Sequence, residues 1–271
     1  MKDKSERKEL TRNEGIIFTF LNIGWVIGPL IAGYAAIKFG LNSVFIIAAF
    51  FILIAFLIFK YVKISDKHIK RKIDINLMKN FIEFFKNKKR TIAYIVDGGS
   101  SAWWVLVYIY IPLFMIENGL NEKFIGYFLF ALALPLIATE YKFSRLAGKY
   151  GFKKMFVLGF TTVLIFTLIC FFVTNIYIIL ILLVIASFGM AMLEPTTEAH
   201  FLDILKKEEA SRFFPPYNTT RDISQSLAKI LSALILLILP FRFIFLFFSI
   251  IMLIMLYITN EMEDIVEEKV K

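Results

Sequence analysis

The sequence predicts an all-α membrane protein that crosses the bilayer about eight times. Its 271 residues are 59% hydrophobic, with a mean hydropathy of +0.72, whereas soluble domains are about 45–50% apolar. A hydrocarbon layer about 30 Å thick needs roughly 20 apolar residues in a helix, the conformation that satisfies every backbone polar group within the chain. Runs of this kind lie at 15–37, 42–60, 91–116, 123–143, 154–174, 176–200, 213–239 and 241–259.

The composition excludes several other classes of protein. The single cysteine, Cys170, lies inside an apolar run, which excludes a disulfide-rich secreted fold. The high hydrophobicity excludes intrinsic disorder. Because the chain has no nucleophile–base arrangement, phosphate-binding loop or redox motif, we expect neither an enzyme nor a bound cofactor or metal ion.

The net charge of +9 indicates orientation rather than nucleic-acid binding. Of the 31 Lys and Arg residues, 26 lie in the terminal segments and the connections on one side of the predicted membrane, and Lys38, Lys123 and Arg242 lie on the other side. Cytoplasmic loops carry the excess of basic residues. We therefore expect a multi-pass protein of the cell membrane with both termini in the cytoplasm, and no nucleic-acid partner.

The longest connection, 61–90, is a basic linker between two groups of spans. Helical spacing places five apolar side chains of its second half on one face, which is typical of a helix lying in the cytoplasmic headgroup layer. A simpler interpretation is a hinge held near anionic lipid by its charge. The segments 1–14 and 260–271 are charged cytoplasmic ends. The five apolar residues are Leu77, Met78, Phe81, Ile82 and Phe85.

The chain contains an internal repeat at an offset of 200 residues. The offset aligns the first two spans with the last two, and small residues coincide within the aligned helices. Both pairs enter from the cytoplasm, so the repeat is parallel, as in some secondary transporters. It divides the chain into two spans at 15–60, the linker 61–90 and six spans at 91–259. The aligned pairs include Arg12 with Arg212, Asn22 with Asp222, Gly24 with Ser224 and Gly28 with Ala228.

The first span contains a glycine and proline motif. Gly24, Gly28 and Gly33 follow the helical repeat of a face that lets another helix approach closely. Pro29 removes a backbone donor and bends the helix. A small-residue packing face is one interpretation of these residues. Their order also resembles the fifth-helix motif of major facilitator superfamily transporters, particularly proton-coupled drug antiporters, in which it is associated with export.

A second motif lies between the fourth and fifth spans, at residues 144–154. It resembles the cytoplasmic loop motif of the same superfamily, although Gly148 stands where an acidic residue is expected. With the parallel repeat, the resemblance covers nearly the whole chain. It implies the fold of helices five to twelve, with two helices of an N-terminal bundle, a complete six-helix C-terminal bundle, and the first four helices missing. The matching residues are Leu146, Ala147, Lys149, Gly151 and Lys153.

Charged residues within spans cost about 2.5–3.5 kcal/mol each on insertion scales, so each needs a role. Lys229 is about ten residues or more from either end of its span, roughly 15 Å by helical rise, which its stem cannot cover. We expect it to face a cavity and to pair with a carboxylate or an anionic substrate. Asp97 could relay protons or pair with Lys229. Asp222, next to Arg221, needs a partner of its own.

Glu194 is the deepest acidic residue of the sixth span and a further candidate proton site. Trp103, Trp104 and Tyr108 lie near mid-membrane, where an aromatic cavity wall and packing against other helices are both open. Glu140 closes its predicted span and could pair with Arg12 or Arg145.

The resemblance implies transport of a small solute by alternating access, with proton-coupled efflux as the preferred mode. Its predicted partners are a small-molecule substrate, protons and the lipid bilayer. One alternative is a truncated or split protein that is inactive alone and is completed by a chain supplying four helices or by a second copy. Another is a membrane-bound scaffold anchored by the basic linker.

Overall fold

The structure, a computed structural model, describes residues 10–62, 76–263 and 265–266, and these ranges contain helices and no β-strand. A π-helical turn, Leu106–Tyr110, joins the fourth helix to the fifth without a break. The helices are α1 (Leu10–Phe39), α2 (Leu41–Val62), α3 (Leu77–Phe85), α4 (Lys88–Val105), α5 (Ile111–Glu117), α6 (Glu122–Tyr150), α7 (Phe152–Phe172), α8 (Ile176–Ile204), α9 (Lys207–Ile238) and α10 (Arg242–Asn260).

Six helical segments of the described chain are long and apolar enough to cross a membrane, which confirms the predicted polytopic α-helical fold. In α9, Arg221, Asp222 and Lys229 interrupt the apolar sequence, and neither α9 nor α1 is among the six. Both are nevertheless continuous helices over their predicted spans. The six segments are Leu41–Val62, Lys88–Glu117, Lys123–Tyr150, Phe152–Phe172, Ile176–Ile204 and Arg242–Asn260.

Several helices extend beyond the apolar runs that predict them. Helix α6 continues through residues 144–150, where the sequence resembles a loop, and the connection to α7 is the single residue Gly151. Gly151 has a φ of +106°, a conformation that a residue with a Cβ rarely adopts. The residues of the loop motif up to Tyr150, Gly148 included, are therefore helical, and the chain reverses at Gly151.

Helix α8 is the centre of the larger packed unit. It contacts α4, α6 and α7, and α7 in turn packs against α10. Helices α7 and α8 approach closely at two glycines, where a Cβ on Gly189 would lie 2.6 Å from the carbonyl oxygen of Gly159. Small residues allow membrane helices to approach until their backbones touch, so these glycines set the distance between α7 and α8.

The chain divides into two compact units. One comprises the residues up to Asn22 together with Asn76 onwards, and the other comprises Ile23–Ile75. Within the smaller unit, Gly40 turns the chain at a φ of +81°. The Ser43 hydroxyl donates to the carbonyl oxygens of Ala35 and Gly40, at 3.0 and 2.6 Å. No residue of α2 is buried.

The predicted amphipathic helix of the linker is α3. Four residues of its predicted apolar face are exposed, namely Leu77, Met78, Ile82 and Phe85, whereas Asn80 and Phe84 are buried. The Arg212 side chain at the start of α9 donates to the Asn80 Oδ1 at 2.6 Å and forms an ion pair with Glu83. Helix α3 is thus fastened to the bundle, and its place in the headgroup layer stays a prediction. Residues 63–75 of the linker lie outside the described residues.

The Gly159–Gly189 contact generates a stability prediction. Gly189→Leu places a side chain where α7 and α8 touch, so we expect the free energy of unfolding to fall by about 1–3 kcal/mol, as in other overpacked cores. Thermal unfolding of the purified protein in detergent measures the change. Gly126→Leu in α6 is the matched control, since a Cβ there meets no described atom within 4 Å. Equal midpoints for both variants would contradict the assigned packing.

Candidate functional site

Asp97 of α4 lies in a buried polar cluster between α4, α8 and α9. Its side chain is 7% exposed, and the Thr197 hydroxyl donates to its Oδ1 at 2.9 Å. The Tyr217 hydroxyl lies next to the same carboxyl group, and Arg221 interacts with it electrostatically. A buried carboxyl group needs such partners because its desolvation is costly. The cation that interacts with Asp97 is therefore Arg221 and not the predicted Lys229.

The residues after Asp97 explain why α4 runs so close to its neighbours. A Cβ on Gly98 would lie 2.9 Å from the Thr220 hydroxyl oxygen of α9, and one on Gly99 would overlap Met255 of α10. The Thr220 hydroxyl donates to the carbonyl oxygen of Tyr94 at 2.7 Å. These contacts hold Asp97 in the interior of the bundle.

Glu194 of α8 accepts a hydrogen bond from an aromatic side chain of α4. The Trp104 Nε1 donates to the Glu194 Oε1 at 2.6 Å. The Trp104 ring stacks on Tyr108, with centroids 5.2 Å apart and planes 20° apart. Trp104 is half-buried and Tyr108 is 47% exposed, so this aromatic pair forms a wall that is partly covered at Trp104 and open at Tyr108.

The π-helical turn lies within this aromatic wall. Pro112 has no N–H to donate to the carbonyl of Tyr108 four residues earlier, and the N–H of Ile111 bonds to the carbonyl of Leu106, five residues back. The Tyr110 hydroxyl donates to the backbone carbonyl of Lys229 at 2.8 Å. Single π-turns inside α-helices are frequent at functional sites. The turn was not predicted, although Pro112 marks its position in the sequence.

Glu140 of α6 is a site residue that the sequence reasoning assigned elsewhere. It is 0% exposed, and the Asn22 Nδ2 of α1 donates to its Oε1 at 2.8 Å. Its Oε2 is buried without a hydrogen-bond partner among the described residues, and its carboxyl group adjoins that of Glu194. The predicted pairing with Arg12 or Arg145 is replaced by Asn22. The apolar run ends near Glu140, but the helix continues for ten further residues and encloses it.

Two further acidic residues extend the cluster toward α1. Glu198, one turn after Glu194, interacts electrostatically with Asp97, Arg221 and Glu14. Glu14 is buried, with an exposed fraction of 3%. A group of buried and half-buried carboxyls with neutral hydrogen-bond donors can hold protons or a cation, because either one lowers the cost of desolvating negative charge.

The other predicted site residues lie outside this cluster. Asp222 and Lys229 are exposed on α9, and the Lys229 side chain forms no ion pair with a described residue. Trp103 is 0% exposed and its indole N–H donates to the Thr167 hydroxyl of α7 at 3.4 Å. Trp103 therefore belongs to the packed core, and the predicted cavity wall reduces to Trp104 and Tyr108.

The C-terminal end of α8 is buried within the bundle. His200 lies between the rings of Phe152 and Phe156, with centroids 5.3 and 5.6 Å away, and both His200 and Asp203 are buried. In the part of the chain that the structure describes, no group of three or more His, Cys, Asp and Glu side chains is arranged to hold a metal ion.

Comparison with known proteins decides the family. The family model of the Major Facilitator Superfamily matches the chain twice, over residues 1–139 and over residues 93–268. The chain belongs to the major facilitator superfamily. It is 26% identical over 196 residues to an uncharacterized MFS-type transporter of Methanocaldococcus jannaschii, an alignment that covers 70% of this chain and 44% of the relative. The chain thus spans less than half the length of that relative.

The two motifs of this major facilitator protein differ in how they are packed. A Cβ on Gly24 or Gly28 would meet no described atom within 4 Å, and Pro29 and Gly33 lie outside the residues whose side chains are described. In the second motif, Ala147 is fully buried and Leu146 and Lys149 are exposed. The Lys153 Nζ donates to the carbonyl oxygens of Asn260 and Met262, at 2.6 and 3.2 Å. The second motif thus binds the end of α10.

The hydrogen bond to Asp97 generates a prediction that does not depend on activity. Thr197→Val keeps the side-chain volume and removes the donor to a buried carboxyl group, so we expect the free energy of unfolding to fall by about 1–3 kcal/mol. Thr139→Val is the control, because that hydroxyl donates only to the carbonyl of its own helix at Pro135. Thermal unfolding in detergent compares the two variants. A Thr197→Val midpoint equal to that of the control would remove Thr197 as a partner of Asp97.

Proposed function

We propose that this protein transports a small solute across the membrane by alternating access and couples that movement to protons. The observation that carries the proposal is the position of Glu194, a half-buried carboxyl group between helices that accepts the Trp104 indole N–H and adjoins the buried Glu140. Asp97 lies in the same polar cluster. Intramembrane carboxyls that are buried among helices are typical of proton and substrate pathways.

The coupling follows from the cost of burying charge. An ionised Glu194 in the bundle interior is stabilised by its neighbours, and a proton or a cationic group of a solute neutralises it further. A conformational change that removes those neighbours is favourable only for the neutral form. Proton binding and solute binding at Glu194 then compete, and each releases the other on opposite sides of the membrane.

The stacked Trp104 and Tyr108 rings are the proposed surface for the solute. They provide a flat apolar face next to the Glu194 carboxyl, which suits a solute with an aromatic or apolar body. Export is the proposed direction, supported by the resemblance of the Gly24–Gly33 motif to that of exporters. Asp222 and Lys229 are secondary candidates, because they are exposed and lie outside the cluster.

Assembly with a further chain or a second copy stays a prediction. The observation that favours it is α2, an apolar helix with no buried residue. Since lipid contact also accounts for exposed apolar side chains in a membrane, the activity of the chain by itself is the more direct proposal.

Substituting Glu194 tests the proposed coupling. Glu194→Gln keeps the shape and the hydrogen bond from Trp104 but cannot bind and release a proton, so we expect proton-coupled flux to fall at least about tenfold. The measurement is proton movement into proteoliposomes, followed with an entrapped pH-sensitive dye during a screen of candidate solutes. Glu117→Gln, at an exposed end of α5, is the control and should transport normally. Full activity in Glu194→Gln would remove Glu194 from the mechanism.

The proposed orientation places α3 and both termini in the cytoplasm. A cysteine at Met78, which is 71% exposed, should resist a membrane-impermeant maleimide in intact cells and react after permeabilisation. A cysteine at Asn118, between α5 and α6, should react in intact cells. Cys170 is buried and should stay silent in both variants. The opposite labelling pattern would invert the topology.

A further inference from the structure

We propose that Glu140 and Glu194 hold a single proton between them, and that Asn22 and Trp104 position the pair. The proposal concerns the same site as the proposed function and deepens it by naming the group that binds the proton. It gives Glu140 of α6 a share of the proton and gives Asn22 of α1 a positioning role at the site of Glu194.

The geometry carries the proposal through what each carboxyl oxygen contacts. The Glu140 Oε1 accepts from the Asn22 amide at 2.8 Å, and the Glu194 Oε1 accepts from the Trp104 indole at 2.6 Å. Both donors are neutral, and each binds one oxygen of the carboxyl group that it contacts. The Glu140 Oε2 is buried and has no hydrogen-bond partner among the described residues, while the two carboxyl groups adjoin.

One proton satisfies this arrangement. Two adjacent carboxylates repel each other strongly when one is buried and the other half-buried, as Glu140 and Glu194 are. A buried acceptor without a donor, such as the Glu140 Oε2, is also costly. A proton on one carboxyl lets it donate to the other, which removes the repulsion and supplies the missing hydrogen bond at once. Two carboxyls that share one proton in this way are a known solution to burying a like-charged pair.

The other charged groups around Glu140 and Glu194 do not remove the need for a proton between them. On α4, Asp97 interacts with Glu194, and on α9, Arg221 interacts with Glu194 and with Asp97. The Tyr108 side chain also interacts with Glu194. Asp97 and Arg221 have opposite signs, so their effects on Glu194 oppose each other and the mutual repulsion of the pair remains.

The α1 side of the pair carries two further titratable groups. On α8, Glu198 interacts with Asp97, Arg221 and Glu14, and Glu14 belongs to α1. Glu198 and Glu14 are both acidic, so neither supplies the positive charge that would let Glu140 and Glu194 ionise together. They are also the two glutamates whose own protonation has to be separated from that of the pair.

The pair also connects two helices. The Asn22–Glu140 hydrogen bond links α1 to α6, and the Ser144 hydroxyl makes a second link by donating to the carbonyl oxygen of Thr11. Gly15 allows this approach, since a Cβ there would lie 2.6 Å from the Ser144 Cβ. Proton occupancy of the pair therefore bears directly on the contact between α1 and α6.

Infrared difference spectroscopy of the full chain in liposomes, titrated with pH and without any solute, tests the proposal. We expect a protonated-carboxyl band that is lost in Glu140→Gln, lost in Glu194→Gln, and not reduced further in the double variant. This non-additivity is the signature of one shared proton. Glu117→Gln is the matched control and should keep the band. Bands that survive in both single variants belong to other groups, such as Glu14 or Glu198.

The role of Asn22 has its own readout. Asn22→Leu should keep the band but shift its frequency and its titration midpoint, and Asn22→Gln should restore both in part. If a glutamate variant does not assemble, labelling glutamate with ¹³C in the unmutated chain assigns the band to this residue type, and Asn22→Leu then tests its place.

Four results would overturn the proposal. The first three are a separate band lost in each single variant, no band from either residue, and no response of the band to Asn22→Leu. The fourth is loss of the band when Na⁺ replaces K⁺ at constant pH, because a metal cation would then occupy the pair in place of the proton. The spectroscopic result is independent of transport. An intact shared band in a protein that moves no protons would overturn the proposed function and leave this proposal standing.

Discussion

Helix α8 has to pack closely against three neighbours while it carries acidic side chains into the interior of the bundle, and most features of the larger unit follow from this requirement. Its closely packed part meets α7 at Gly189, where only a glycine fits. Its acidic part follows at once, with Glu194 and Glu198 facing α4, α6 and α9. The neighbouring helices supply hydrogen-bond donors to the acidic part of α8, and α7 supplies the small residue Gly159 to its closely packed part.

The donors in the interior and those at the helix ends differ in kind. Inside, the carboxyls receive hydrogen bonds from the neutral groups of Thr197, Trp104 and Asn22. Neutral donors stabilise a carboxyl without adding a second desolvated charge. At the helix ends, where water is near, the partners are ion pairs, which contribute little when exposed. These ion pairs are Lys88–Glu261, Lys89–Glu263, Arg90–Glu209 and Arg212–Glu83.

Much of the fold could be predicted from the sequence, because hydrophobic length determines a membrane helix almost alone. The site residues were predicted less well, because the hydrogen-bond partner of a side chain depends on which face of its helix meets which neighbouring helix. Trp103 and Trp104 are adjacent in sequence, yet one is in the core against α7 and the other bonds to Glu194. Lys229 was singled out by its depth, and depth does not determine the direction of a side chain. Glu140 was set aside because it closes an apolar run, although the helix continues past it.

The one-residue connection at Gly151 makes the length of the chain at this point critical. Each residue in an α-helix advances the direction of its side chains by about 100°. An insertion near Gly151 that extends α7 by one residue at its start would therefore rotate the following residues about the helix axis and carry Gly159 away from Gly189. The far end of α6 tolerates more, since several residues separate Glu117 from Glu122. Among related chains, we expect length variation to collect between α5 and α6, and the spacing from Ala147 to Gly159 to be kept.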